Sequence, residues 1–599
     1  MISHVNDEQP AHWDLSRLFM SPADPALQQT ISEVERATES IALRLSTGGA
    51  GLLPDELVHV LETIDDVEAS LGRLSAYAFL AHVDDHRSPT SARLMTRVEV
   101  LRASFQAQIA LLDSELTDID DQAFSRLLSE ERIRPFAQYL RRRRVRGKHR
   151  LTGDQERLLA SLSPMGRLAW DRLAADTLMR TKVVVDGRSL TLTESHLLRR
   201  EPDRDLRRRA SEAMAAAFDS NLGLWAYILN TLLLEKNLTD TIRRYPNWLS
   251  ARNEENEVSD RTVEAMVATV ASRFDLVQRY YRAKRELLGL DKLFDWDRFV
   301  GVAVSRISVP WSDARRLVTN GYAAFSPRLA ELVHVLFEQG VIDGVNRDRS
   351  GGFCQYTAPG LPPYISLNYT GAIGDVLTLG HELGHGVHIL LSGERNRAVY
   401  YEPPQVLSET ASLFGESLVL RELLRDSDQD SRAAVLCRQV EQLIDMVFRN
   451  VAYHGFEGDL YHAREHRGEL SAGEISELWL QHNARLYGDS VELTPAYEPL
   501  WAMVSHIFRF PGYLYAYSFG NLLALGLLAR WEVAGANFAE RYIDFLAAGG
   551  SIQPPLLASQ AGVDIERAGF WNDAIDYIET KVAEVEAIVR SAPRPSPSP

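Results

Sequence analysis

Leu57, Leu61, Ile64, Val67, Leu71, Leu74 and Ala78 recur every three or four residues and so share one face of a helix. A stripe this long has to be covered by another element, so the chain is expected to build its core by packing long helices together. Similar stripes run through roughly the first 180 residues, with no internal repeat. Strand signals are few. Thr181–Val185 and Arg188–Leu192 flank Asp186-Gly187, a pair suited to the left-handed backbone of a two-residue hairpin turn. Ile365–Tyr369, after the Pro/Gly-rich TAPGLPPY, is a second strand candidate. With the hairpin as boundary, the expected organisation is an N-terminal helical domain over 1–195 and a larger helical domain over 196–590. The Pro/Ser-rich residues 591–599 form a tail expected to be disordered.

Charge narrows the classes of partner. The 65 Lys and Arg against 82 Asp and Glu leave −17, which disfavours nucleic acid and anionic membrane, since both attract basic surfaces. One basic cluster, Arg141 to Arg144 with Arg146, Lys148 and Arg150, reads as a solvated helix end rather than a phosphate or RNA patch. Two cysteines, Cys354 and Cys437, are too few for a disulfide framework and fit a reducing compartment; both are expected to be buried thiols. The N-terminus has no basic flank leading into an apolar core, so a cytoplasmic location is expected. The uncharged run Phe510–Ala529 is long enough for a membrane span. Its Pro511, three glycines and Asn521 instead suggest a turn followed by a buried helix.

The chemistry lies in Asp375-VLTLG-His381-Glu382-Leu383-Gly384-His385. Histidines at i and i+4 stand one turn apart, so both rings can converge on one ion. An acid directly after the first histidine can reach a water on that ion without ligating it. Gly380, Gly384 and Gly386 would weaken this helix unless something packs closely against it. A catalytic zinc needs a third protein ligand. The HExxHxxGxxH route fails, because position 388 is His and position 391 is Leu. Among the downstream acids, Glu394 sits at a helix exit and Glu402 before Pro403-Pro404. Glu409 and Glu416 stand seven apart on the otherwise apolar VLSETASLFGESLVL. Glu409 is the better ligand candidate, with Glu416 orienting a ligating histidine; two acids on a solvated face are the alternative. Asp375 reads as a helix cap.

The segments HELGHGVH and LSETASLFGE resemble the two zinc helices of the thimet-oligopeptidase-like metallopeptidases, and most closely those of bacterial oligoendopeptidase F. HWDLSRLF, LTLTESHLLRREPDRDLRRRASEAM and GGFCQYTAPGLPPYISLNYTGAIGDVLTLGHELGHGVH extend the likeness over nearly the whole chain. The resemblance implies a mainly α, bilobed molecule with a deep substrate channel and a minor β-sheet beside the zinc helix. It assigns one Zn2+ per chain to His381, His385 and Glu409, and the base role to Glu382. It also points to WAMVSHIFRFPGYLYAYSFG, where His506, Tyr513 and Tyr517 would stabilise the oxyanion; Tyr515 faces elsewhere on a helix. Tyr364–Tyr369 resembles the family's edge strand, which can hold an extended peptide by main-chain hydrogen bonds. The implied activity is cleavage of internal bonds in short unstructured oligopeptides, by a monomer or homo-dimer. A carboxypeptidase or dipeptidyl carboxypeptidase with the same zinc site is the alternative, and an inactive peptide-binding protein is the rival outside enzymes.

Overall fold

The computed structural model describes residues 12–47, 54–85, 88–163, 165–302, 308–345, 352–425 and 429–591. The expected tail therefore lies outside the described residues, apart from Ser591 at the end of the last helix, Ala568–Ser591. The chain divides into two compact units, each drawn from three separate stretches. The first comprises 1–153, 307–423 and 530–563, and the second 154–306, 424–529 and 564–599.

The first unit begins with long helices, Pro25–Thr47, Pro54–Asp84 and Pro89–Asp118, followed by Ala137–Gly147. All seven residues of the predicted stripe are buried on Pro54–Asp84. Proline opens that helix, with Asp55 and Glu56 next to it, where a missing N–H costs nothing and acids meet the positive end of the dipole. The basic cluster is not simply solvated. Arg143 is buried in an ion pair with Asp113, with Nη2 2.9 Å from Oδ2, and Arg142 donates to the Gly550 carbonyl at 2.9 Å.

A three-stranded sheet lies beside the helix Ile373–Arg395 in this unit. Tyr364–Ser366 is its central strand, paired in parallel with Ile342–Asp343 and antiparallel with Phe353–Gln355. The expected edge role of Tyr364–Tyr369 is thus corrected: both sides of Tyr364–Ser366 are already paired, and Ile342–Asp343 and Phe353–Gln355 are the two edges.

The second unit holds the hairpin, Val183–Val185 with Arg188–Leu190, in the predicted register around Asp186 (φ 50°) and Gly187 (φ 78°). Its core gathers Trp225, Phe456, Trp479, Trp501 and Phe508. The stretch Leu514–Ala547 is apolar enough to cross a membrane by length and composition. From Leu514 to Leu528, however, every residue except Tyr517 is buried in protein, which makes this a core helix.

Candidate metal centre and its surroundings

Two helices of the first unit meet to form the centre. His381, Glu382 and His385 lie on Ile373–Arg395, and Glu409 and Glu416 on Gln405–Arg425. The glycines explain how closely these helices approach. A Cβ on Gly384 would stand 2.7 Å from Ser412 Cα and collide with the Ala411 carbonyl; one on Gly380 would stand 2.7 Å from Val419 Cγ2. The Tyr322 hydroxyl adds a bond to the Gly380 carbonyl at 2.9 Å. Asp375 ties down the start of the first helix by accepting from the Thr370 and Ala372 N–H groups at 2.7 and 3.2 Å. It does so from the third helical position, reaching back as a cap.

Donor atoms of His381, His385 and Glu409 all lie within 4.8 Å of one another. Glu409 Oε2 is 3.5 Å from His381 Nε2 and 3.7 Å from His385 Nε2. These separations are long for hydrogen bonds. They are close to the ~3.3 Å that separates two N/O donors on a tetrahedral zinc. The Ser412 hydroxyl donates to Glu409 Oε2 at 2.9 Å and steadies the carboxylate. His381 Nδ1 lies 3.3 Å from Glu416 Oε2, which leaves Nε2 to face the cluster. Two imidazole nitrogens and one carboxylate oxygen are a donor set that zinc accepts.

Glu409 and His385 hold the charge states that ligation needs, whereas at His381 burial, which lowers it, is outweighed by the Glu409 and Glu416 carboxylates, which raise it. Burial would raise Glu409, but His381 and His385 beside it outweigh that and hold its carboxyl at about 2. Burial lowers His385 to about 4, keeping it in the neutral form that ligates. Glu382 is 5% exposed, and its Oε2 is buried without a partner among the described residues. Burial pushes its carboxyl up to about 7, well placed for a base near neutral pH. Room for its side chain comes from Gly352, where a Cβ would sit 2.8 Å from Glu382 Oε1.

In the second unit the structure brings His506, Tyr513 and Tyr517 together. His506 Nε2 is 3.2 Å from the Tyr517 hydroxyl and its ring stacks on Tyr513, with centroids 5.7 Å apart. Tyr515 is separate: it is fully buried, and its hydroxyl accepts from Asn256 Nδ2 at 2.9 Å. The turn before these tyrosines is held by residues that no motif singles out. Arg167 donates to the Phe508 carbonyl at 3.2 Å, Arg252 to the Pro511 carbonyl at 3.2 Å, and Glu457 accepts from the Gly512 N–H at 2.8 Å. Gly512 has φ +70°, a conformation other residues adopt only with strain. The signal for Glu457 is an acid on a helix that is otherwise buried at that face, which is visible only once the helix is placed.

The sequence profile of peptidase family M3 matches residues 336–577, and that described as Oligopeptidase F matches residues 115–182. The chain belongs to peptidase family M3. Group B oligopeptidase PepB of Streptococcus agalactiae is 24% identical over 98% of both chains. Oligopeptidase PepF of Bacillus subtilis is 23% identical over 96% of this chain and 87% of its own. The crystal structure of oligoendopeptidase-F from Enterococcus faecium shares the fold, with a TM-score of 0.73 at 20% identity over 95% of this chain and 98% of that one. Membership in this metallopeptidase family implies a catalytic metal.

If Glu416 orients His381, Glu416→Ala weakens metal binding by roughly 10–100-fold. A competition titration against a chelator measures this, and wild-type affinity in the variant would remove Glu416 from the centre.

Proposed function

We propose that the chain is a zinc-dependent endopeptidase that hydrolyses internal bonds of short, unstructured oligopeptides, acting in the cytoplasm. The observation that carries this reading is the convergence of His381, His385 and Glu409 beside Glu382, whose buried Oε2 has no partner among the described residues. Zinc held by those three residues supplies Lewis acidity toward water and toward the scissile carbonyl. Glu382 accepts the proton of the attacking water and delivers it to the leaving amine. His506 keeps the Tyr517 hydroxyl in place, and that phenol, with Tyr513 beside it, donates to the oxyanion as it forms. The edge strand Phe353–Gln355 offers main-chain groups to an extended peptide, which favours conformation over sequence in the choice of substrate.

The test is a mid-length peptide with both termini blocked, digested with and without a chelator and mapped by mass spectrometry. Internal cuts that vanish with chelator and return with zinc are expected. Cleavage confined to peptides with a free C-terminus would replace this reading with a carboxypeptidase. No cleavage of any peptide by metal-loaded protein would leave a peptide-binding protein. Tyr517→Phe removes only the donor, so kcat should fall roughly 10²-fold with little change in KM. An unchanged kcat would take Tyr517 out of the chemistry.

A further inference from the structure

A cavity of about 280 Å3 opens in the first unit among Pro54–Asp84, Pro89–Asp118, Ala137–Gly147, the segment 357–359 and residues 398–402. No residue of the metal cluster lines it. Its walls carry four arginines and two glutamates, and most of these charges are already engaged. Arg143 is neutralised by Asp113, and Arg102 stands 3.5 Å from Glu68, which also accepts from Gln106 at 3.2 Å. Arg142 donates to the Gly550 carbonyl.

Two charges remain. The side chains of Arg146 and Glu402 are exposed, and among the described residues neither makes a hydrogen bond or ion pair. The Tyr139 hydroxyl is buried at the same cavity and also lacks a partner among the described residues. Protein surrounding Glu402 raises its carboxyl, and Arg102 offsets this only in part. A ligand of a single charge would pair with one of the two groups and leave the other to water alone. A ligand carrying both charges satisfies both with charge-assisted hydrogen bonds. The volume lies just below the ~300–1,000 Å3 of drug-sized ligand sites, which suits an amino acid or dipeptide.

We propose that this cavity binds a small zwitterion, a free amino acid or short peptide, with its ammonium at Glu402 and its carboxylate at Arg146 and the Tyr139 hydroxyl. The assignment does not depend on the peptidase reading, although such molecules are what a peptidase releases.

Calorimetric titration of the metal-loaded full chain with alanine, alanylalanine, N-acetyl-alanylalanine and alanylalanine amide tests it. Saturable binding of alanine or alanylalanine is expected, and which of the two binds tells the free amino acid from the peptide. Each blocked form should bind at least tenfold more weakly. Glu402→Gln should erase the difference between alanylalanine and its acetylated form, and Arg146→Gln the difference between alanylalanine and its amide. Hydrolysis of a reporter peptide should stay at the wild-type rate in both variants when no zwitterion is added, which also verifies folding. Absence of saturable binding, equal binding of the blocked forms to the wild type, or unchanged affinity in both variants would overturn the proposal. The last result would place the ligand at the metal centre instead.

Discussion

Glu382→Gln is expected to lower kcat by roughly 10³-fold while the protein keeps its metal, because the substitution removes a proton acceptor and almost nothing else. The side chain is 5% exposed, with Gly352 packed against one carboxylate oxygen, and glutamine fills the same space. His381, His385 and Glu409 retain their own contacts, so zinc stoichiometry measured by atomic absorption should match the wild type. Stability gives an independent check. An ionised carboxylate with a buried, unpartnered oxygen costs folding free energy, so the neutral amide should leave Tm unchanged or raise it. A variant that binds zinc, melts normally and still turns over peptide would end the case for Glu382 as the base. Loss of activity together with loss of metal would mean that Glu382 supports the ligands instead.

Gly384→Ala should have the next largest effect, through packing rather than chemistry. Alanine favours the helix by about 1 kcal/mol over glycine. Here the added methyl would stand 2.7 Å from Ser412 Cα and run into the Ala411 carbonyl, so the two helices must separate. Overpacking of this kind costs about 1–3 kcal/mol, enough to cancel the propensity gain or exceed it. The larger consequence is at the centre. Glu409 lies within a turn of Ala411 and Ser412, and moving its helix by a fraction of an ångström opens the 3.5 and 3.7 Å separations from the histidines. Metal affinity and kcat/KM should each fall by roughly 10²-fold. Gly223→Ala is the control, since nothing lies within 4 Å of a Cβ at that helical position; it should keep full activity with Tm equal or slightly higher. Wild-type metal affinity in Gly384→Ala would show that the helices have slack and that the glycine is not what sets the geometry.

Legibility in the sequence followed the range of the interaction concerned. The stripe from Leu57 to Ala78 and the Asp186-Gly187 turn are local matters of periodicity and allowed backbone angles, and both appear where the residues place them. The core helix after Pro511 could likewise be told from a membrane span by its glycines and Asn521. The strand at Tyr364–Ser366 was visible but its neighbours were not. Whether a strand is central or at an edge depends on pairing with Ile342–Asp343 and Phe353–Gln355, which alternation does not encode. The basic cluster shows the same gap, since one run of arginines supplies the buried partner of Asp113, a carbonyl donor and a free guanidinium at a cavity.

HExxH spacing alone dictates that His381 and His385 face one way with Glu382 behind them, because one helical turn has a single geometry. Apolar neighbours on the second helix then made Glu409 and Glu416 stand out as acids needing a reason. Tertiary structure decided the rest: that Glu409 Oε2 stands among the histidine nitrogens while Glu416 faces His381 Nδ1, and that Glu457, Arg167 and Arg252 hold the turn before Tyr513. Those contacts join residues tens to hundreds of positions apart. At the metal cluster the distances follow from how closely Gly380 and Gly384 let two backbones approach, a quantity that belongs to the packed pair of helices and to neither segment alone.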